Sequence, residues 1–253
     1  MGALRGATGR WRMGGLALAT GKPLMRRVQV SPLPAQGALA TLDAASAHHL
    51  TRVLRLDAGA VVQAFDGKGY RCEAQLEAHD GCWMLRGLTE PEHHGIHRHA
   101  SHLVLGLPKG PAAELALRMA TELGVSEIHP VIAEHSILRK DKADRWTKIL
   151  SSAGQQSRRD SLPVLHAASS LPDALARLEG AKLLKAHPYG DETSIQINGP
   201  WAVCVGPEAG WSPRELALLD ENNAHNLKVA DHILRTPTAV AATLAVAQHL
   251  CVD

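Results

Sequence analysis

The stretch from Trp201 to Leu250 constrains this chain more than any other. An apolar run, Trp201-Ala202-Val203-Cys204-Val205, reads as a buried strand. It passes through Gly206-Pro207-Glu208-Ala209-Gly210 and meets a helix start at Ser212-Pro213-Arg214-Glu215. Ser212 suits the cap, Pro213 the first helical position, and Glu215 the return bond to the Ser212 N–H, so the spacing predicts a full capping box. A second unit follows the same plan: Leu227-Lys228-Val229, the loop Ala230 to Arg235, and a helix opened by Thr236 as cap and Pro237. That helix, with Ala239, Val240, Ala241, Leu244, Ala245 and Ala247, is apolar nearly all round and is expected to be buried. In an open parallel sheet, ligands bind outside the carboxyl ends of the strands, so both loops are expected on one pocket. Taken alone, Gly206-Pro207-Glu208 is an ordinary strand-to-helix turn.

The segment before it supplies the rest of such a sheet. His102 to Leu107 reads as a strand, Pro108-Lys109-Gly110-Pro111 turns into a helix through Leu123, and Gly124 stops it. Glu114 and Arg118 are spaced to pair on that helix. Ser126 to Ile132 is a strand, Arg145 to Ser157 a helix, Ser170 to Gly180 another helix, and Ala181 to Ala186 a strand ending in His187-Pro188. Strands alternating with helices predict a parallel sheet with helices on both faces. No strand leads into Gly-x-Gly-x-x-Gly, a Walker-type loop or Gly-x-Ser-x-Gly, so dinucleotide, triphosphate and serine-hydrolase readings lose their support.

Residues 25–92 carry the pattern of a small β domain. Arg27 to Val30 alternates, Ala60 to Phe65 is a strand, Asp66-Gly67-Lys68-Gly69 is a hairpin turn, and Tyr70 to Leu76 and Cys82 to Arg86 follow. Ser46 to Arg55 reads as a short helix with Arg52 and Arg55 on one face. With Lys68 and Arg71 on the hairpin, these arginines are candidates for phosphate contacts. One Phe and two Tyr in the whole chain leave little for stacking unpaired bases, which favours folded RNA over single strands.

A histidine-rich linker is expected over 93–101. Its His93, His94, His97 and His99, with His102 beyond it, have no Cys or carboxylate at helical ligand spacing, so no metal site is expected there. At 253 residues the chain accommodates two domains, and a net charge of +2 excludes a general nucleic-acid coat. Cys72, Cys82, Cys204 and Cys251 form no Cys-x-x-Cys pair, which fits a reducing cytoplasm. No apolar run is long enough to span a membrane. Residues 1–24 are basic without an acid and read as an extension ahead of Met25 or an overlong start rather than a transit peptide.

These residues, taken in order, carry a resemblance. The set His48-His49-Leu50 with Val53-Leu54-Arg55, Phe65-Asp66-Gly67, Lys109-Gly110 and Ala120-Thr121-Glu122-Leu123-Gly124-Val125 resembles the RsmE family of 16S ribosomal RNA uridine N3-methyltransferases in the SPOUT superfamily. So do Glu134 and Ser136, Gln156 and Arg159, Gly206-Pro207-Glu208 with Gly210, and Ile233-Leu234-Arg235 with Thr238-Ala239. The resemblance implies an α/β fold: a PUA-like RNA-binding β-barrel over 25–92 and a trefoil-knotted methyltransferase domain over 102–253. It implies S-adenosylmethionine as cofactor, 16S RNA or the assembled small subunit as partner, a homodimer, and neither membrane nor metal. Carried over residue by residue, the cofactor set is His187, Pro188, Val205, Gly206, Pro207, Gly210, Val229, Ala230, Ile233, Leu234 and Thr238. The catalytic set is Glu208, Arg159 and Arg235, and the RNA contacts are Arg52, Arg55, Arg71 and Lys109.

The chain departs from the family pattern at Ala209 and Ala230, where glycine is usual, at His232 and His135, where arginine is usual, at Arg118-Met119, and at Pro237, where a carboxylate is lost. Ala209 and Ala230 place a β-carbon where backbone approach to a cofactor matters, and are expected to weaken binding. Two other readings keep the fold: ribose 2′-O-methylation of RNA, and ribosome assembly by RNA binding without turnover.

Overall fold

A computed structural model describes residues 25–94, 99–136, 142–188 and 195–252. The extension 1–24 and part of the linker lie outside the described residues.

The first domain is one mixed sheet. β1 (Arg27–Gln29) and β2 (Leu39–Thr41) precede α1 (Ala44–His48), whose Asp43 cap accepts from the Ser46 N–H at 2.8 Å. β3 (Val61–Phe65), β4 (Tyr70–His79), β5 (Cys82–Gly87) and β6 (Glu92–His93) complete it, in the order β1-β3-β4-β5-β2 with β6 on β4. Leu50, Val62, Ala64, Ala74, Leu76 and Leu85 form its core. The expected helix from Ser46 to Arg55 divides: α1 passes into a π-helical turn, His49–Val53, and Arg55 leaves it at φ +54°. Arg52 and Arg55 therefore do not share a helical face, although both are exposed.

The second domain has one all-parallel sheet. Its elements are β7 (Ser101–Gly106), α2 (Pro111–Glu122), β8 (Glu127–Val131), α3 (Ala143–Gln156), β9 (Val164–Leu165) and α4 (Leu171–Ala176). They continue with β10 (Lys182–Ala186), β11 (Trp201–Val205), α5 (Pro213–Glu221), β12 (His225–Leu227) and α6 (Thr236–Leu250). The strand order is β12-β10-β11-β7-β8-β9. β7 and β11 are buried throughout, as central parallel strands must be. Leu103, Leu105, Val203, Val205, Leu117 and Leu244 pack on one face, and Val104, Val131, Ala202, Cys204 and Leu175 on the other. No helix among the described residues is long and apolar enough to cross a membrane.

Three local expectations give way to tertiary partners. Glu114 pairs with Arg145 of α3, through Nε at 2.7 Å, instead of with Arg118. Arg235, not Thr236, is the N-cap residue of α6, and the Thr236 hydroxyl donates to the Gly206 carbonyl at 3.3 Å. α6 buries only one stripe, Val240, Thr243, Leu244 and Ala247, leaving Ala245 and Val246 exposed.

The hairpin of the first domain docks on the end of α3. Asp66 accepts the Lys68 N–H at 2.6 Å, Gly67 turns at φ +80°, and its carbonyl accepts the Leu162 N–H at 2.7 Å. Beneath it, the Asp160 carboxylate takes Arg27 on one oxygen and Arg71, at 2.9 Å, on the other. Arg27 lies 4.3 Å above the centre of the Phe65 ring, and burial lowers its pKa against the pull of Asp160. Both Arg27 and Asp160 are buried, so this pair joins the domains where water does not screen it.

Candidate functional site

The carboxyl ends of β10, β11 and β12 open onto one cavity of about 300 Å³. Ala186, His187 and Pro188 bound it from β10, and Val205 to Trp211 from β11. Val229, Ala230 and His232 to Leu234 follow β12, while Leu216, Thr236 and Ala239 close it from α5 and α6. Helix caps hold these loops in place. Ser212 and Glu215 form the expected capping box, with the Ser212 N–H on Glu215 Oε2 at 2.8 Å and the Glu215 N–H on the Ser212 hydroxyl at 3.1 Å. Glu215 Oε1 also accepts the Glu134 N–H at 3.0 Å, tying the loop after β8 to the start of α5.

The backbone approaches itself closely here. A β-carbon on Gly206 would lie 3.0 Å from the Trp211 nitrogen and 3.2 Å from the Gly210 Cα, and Gly210 sits at φ +75°. Ala209 and Ala230 are not among the described residues with positive φ, so their β-carbons add no backbone strain of that kind. Pro237 lies in the first turn of α6, where its missing N–H had no helical partner to lose.

All expected cofactor residues except Thr238 line the cavity; Thr238 is exposed on α6. Glu208 lines it too, and its Oε1 accepts the Lys109 backbone N–H at 3.0 Å. Oε2 has no partner among the described residues. Arg235, next to Leu234, is exposed and likewise has no partner there.

Arg159 is placed elsewhere. Its guanidinium donates to the carbonyls of Thr121 and Val125, at 2.8 and 3.0 Å, where α2 ends, and burial lowers its pKa to about 10. Arg71 is engaged by Asp160, while Arg52, Arg55 and Lys109 are exposed.

Sequence reasoning passed over Trp211 and Leu216 and gave Thr236 and Ala239 no part in the cofactor set, yet all four line the cavity. It also passed over Gly106. The register Leu105 to Val205 brings this glycine against the Gly206-Pro207 turn, where a β-carbon would lie 2.6 Å from Pro207 Cδ. The signal was present in an apolar strand that ends in glycine.

A strand-end cavity floored by leucine and valine and walled by close-packed backbone suits a flat heterocycle with an apolar bed. Relatives agree with that geometry. An RNA methyltransferase domain matches residues 97–248, and an RNA methyltransferase PUA domain matches residues 42–81. Ribosomal RNA small subunit methyltransferase E of Synechocystis is 30% identical over 232 residues, covering 87% of this chain and 76% of its own. The same enzyme of Mycobacterium bovis is 31% identical, covering 85% and 88%. The crystal structure of that methyltransferase from Neisseria gonorrhoeae, bound to S-adenosyl methionine, superposes with a TM-score of 0.82 at 26% identity, over 90% of this chain and 98% of that one. With the matched domain spanning the cavity and both relatives aligned along most of their lengths, this chain belongs to the ribosomal RNA small subunit methyltransferase E family.

Proposed function

We propose that this protein transfers a methyl group from S-adenosylmethionine to uracil N3 of a uridine in 16S ribosomal RNA, acting in the cytoplasm on RNA or the assembled small subunit. The observation that carries the reading is the cavity at three adjacent strand ends, whose lining contains ten of the eleven residues that the family resemblance assigns to the cofactor. The strand order supports the knotted crossing expected of the superfamily, because β11 inserts between β7 and β10 while β12 returns to the far side of β10.

When bound, S-adenosylmethionine supplies an electrophilic methyl carbon on a sulfonium. The chain's part is to hold the uracil in line with it and to take the N3 proton, which must leave as nitrogen bonds to the methyl carbon. Glu208 takes that proton in this reading, which is supported by the Lys109 amide donating to one carboxylate oxygen while the other remains for the uracil edge. Arg235, at the N-terminus of α6 beside Leu234, supplies positive charge for the uracil anion that forms or for its phosphate. Arg159 is left out of this set because its guanidinium holds main-chain carbonyls. Arg52, Arg55 and Lys109 serve RNA phosphates, and Thr238 serves the cofactor from the rim.

Nucleoside analysis of small subunits incubated with protein and S-adenosylmethionine tests the reaction. The methyl group is expected on the uracil base, and a methyl on ribose oxygen would overturn the assignment. Calorimetry separates binding from chemistry. Leu234→Ala should weaken S-adenosylmethionine roughly tenfold, the loss of ~1.4 kcal/mol from a half-buried leucine. Glu208→Ala should leave that affinity within about threefold while lowering turnover on the order of 10²-fold, the scale of a lost general base. Equal losses in both variants would make Glu208 a structural carboxylate.

We also propose a homodimer that covers the mouth of the cavity. Ile233 lines the cavity and is 79% exposed, and the outer stripe of α6 at Ala245 and Val246 is apolar and uncovered. Light scattering should give twice the chain mass, and Ile233→Asp should shift it toward monomer. A wild-type monomer with full activity would reject the dimer.

A further inference from the structure

A second group of chemically able side chains lies on the same sheet, at the end away from the cavity. In the parallel register His102 of β7 stands opposite Glu127 of β8, and Val104 stands opposite His129 two residues further on. Residues two apart on a strand share a face, so His102, Glu127 and His129 project on the side that continues into Val104 and Val131 of the second core cluster. β9 adds a fourth member: Ile128 pairs with Leu165, which brings His166 alongside His129 with the rings stacked at 4.2 Å.

Their ligand atoms converge. His102 Nδ1 lies 3.3 Å from His129 Nε2, and Glu127 Oε2 lies 3.8 Å from each of these nitrogens. A zinc ion with ligands at about 2.0–2.1 Å in a tetrahedron separates those ligands by about 3.3 Å. The spacing of the three atoms is thus already close to a coordination face. His166 Nε2 lies 2.7 Å from Glu127 Oε2 and fits the outer hydrogen bond that orients a ligating carboxylate.

The environment divides the group. His129 is 1% exposed, and its Nδ1, the ring nitrogen that does not face His102 and Glu127, is buried without a partner. Burial lowers the pKa of both His102 and His129. The Glu127 and His166 side chains are 33% and 26% exposed, which leaves a path for an ion and a water as fourth ligand.

We propose that His102, Glu127 and His129 form a binding site for a divalent transition metal of the zinc class, with His166 as the residue that positions the Glu127 carboxylate. Two imidazoles and one carboxylate select zinc, cobalt or nickel over calcium and magnesium. A bound ion would pin β7 to β8 at the start of the sheet. From there Val205, at the cavity end of β11, is three residues beyond the level of His102, roughly 10 Å away. The site therefore acts on stability and takes no part in methyl transfer.

The test uses the full chain, free of tag and stripped with chelator, titrated with cobalt(II) and then zinc(II). One equivalent of cobalt should give the intense visible bands of a four-coordinate site, and zinc should abolish them. His102→Gln and Glu127→Gln should each lose those bands and weaken binding at least tenfold, with circular dichroism confirming that each variant is folded. Glu127→Gln, the more exposed change, serves if His102→Gln fails to fold. Linker histidines are the rival ligands, so the variant with His93, His94, His97 and His99 all changed to Gln should keep the full spectrum. Zinc should also raise the melting temperature of the wild type and leave that of Glu127→Gln unmoved. Bands that survive in Glu127→Gln, bands lost in the linker variant, or only the weak spectrum of six-coordinate cobalt would each overturn the site.

Discussion

Asp160→Ala should lower the stability of this protein by roughly 3–5 kcal/mol, the scale on which removing one partner of a buried ion pair acts. The carboxylate is the sole anion that pairs with Arg27 among the described residues, and both side chains are nearly closed to water, at 4% and 7% exposure. Without it, the Arg27 guanidinium stays in the interface with only the Phe65 ring beneath it, and its Nε and Nη1 already lack partners. Arg71→Ala removes the other arm at a site 35% exposed to solvent, and should cost under about 1 kcal/mol. Urea unfolding of the two variants makes the comparison. The two changes having equal effects would mean that the buried arm does not hold the domains together. Replacing both buried partners, Arg27→Met with Asp160→Leu, should recover much of the loss, since an apolar pair leaves no charge stranded.

Gly106→Ala should strike the cofactor site from beneath without altering any residue that lines it. The new methyl would fall 2.6 Å from Pro207 Cδ and 2.9 Å from the Pro207 nitrogen, too close for either to stay. Because one of those atoms is backbone, the whole Gly206-Pro207 turn must move. Overpacking of this kind costs about 1–3 kcal/mol. The turn carries Val205, Gly206 and Pro207 into the cavity, so S-adenosylmethionine affinity should fall at least tenfold, about 1.4 kcal/mol, in calorimetry. Unchanged affinity with lowered stability would show that the turn relaxes without disturbing the cavity.

What the sequence made legible follows the range of the forces involved. The three strand-end loops were readable because their chemistry is local: Ser212, Pro213 and Glu215 specify a cap within four residues, and Gly210 provides the positive φ its turn requires. The continuous apolar runs of β7 and β11 announced central parallel strands for the same reason. The setting of Arg159 was not legible because a guanidinium looks alike whether it faces a substrate or the end of α2, and only the tertiary fold brings Thr121 and Val125 beneath it. Glu114 chose Arg145 on another helix over Arg118 on its own. The π-helical turn at His49–Val53 moved Arg55 off the face assumed for it. The group of His102, Glu127 and His129 was invisible in a search along the chain, because its ligands meet across strands whose register no local motif records.

The order in which the cavity walls appear along the chain sets a schedule for synthesis. The first domain is complete once Glu92–His93 has emerged, whereas Leu234, Thr236 and Ala239, the last wall of the cavity, come more than a hundred residues later. A nascent chain can therefore fold its arginine-bearing β domain while the methyl-donor pocket still lacks a side. Premature termination after Leu162 and before α6 keeps the first domain and its partners but not the last wall of the pocket, so in cells such truncated copies should behave as inhibitors of the intact protein rather than as mere losses.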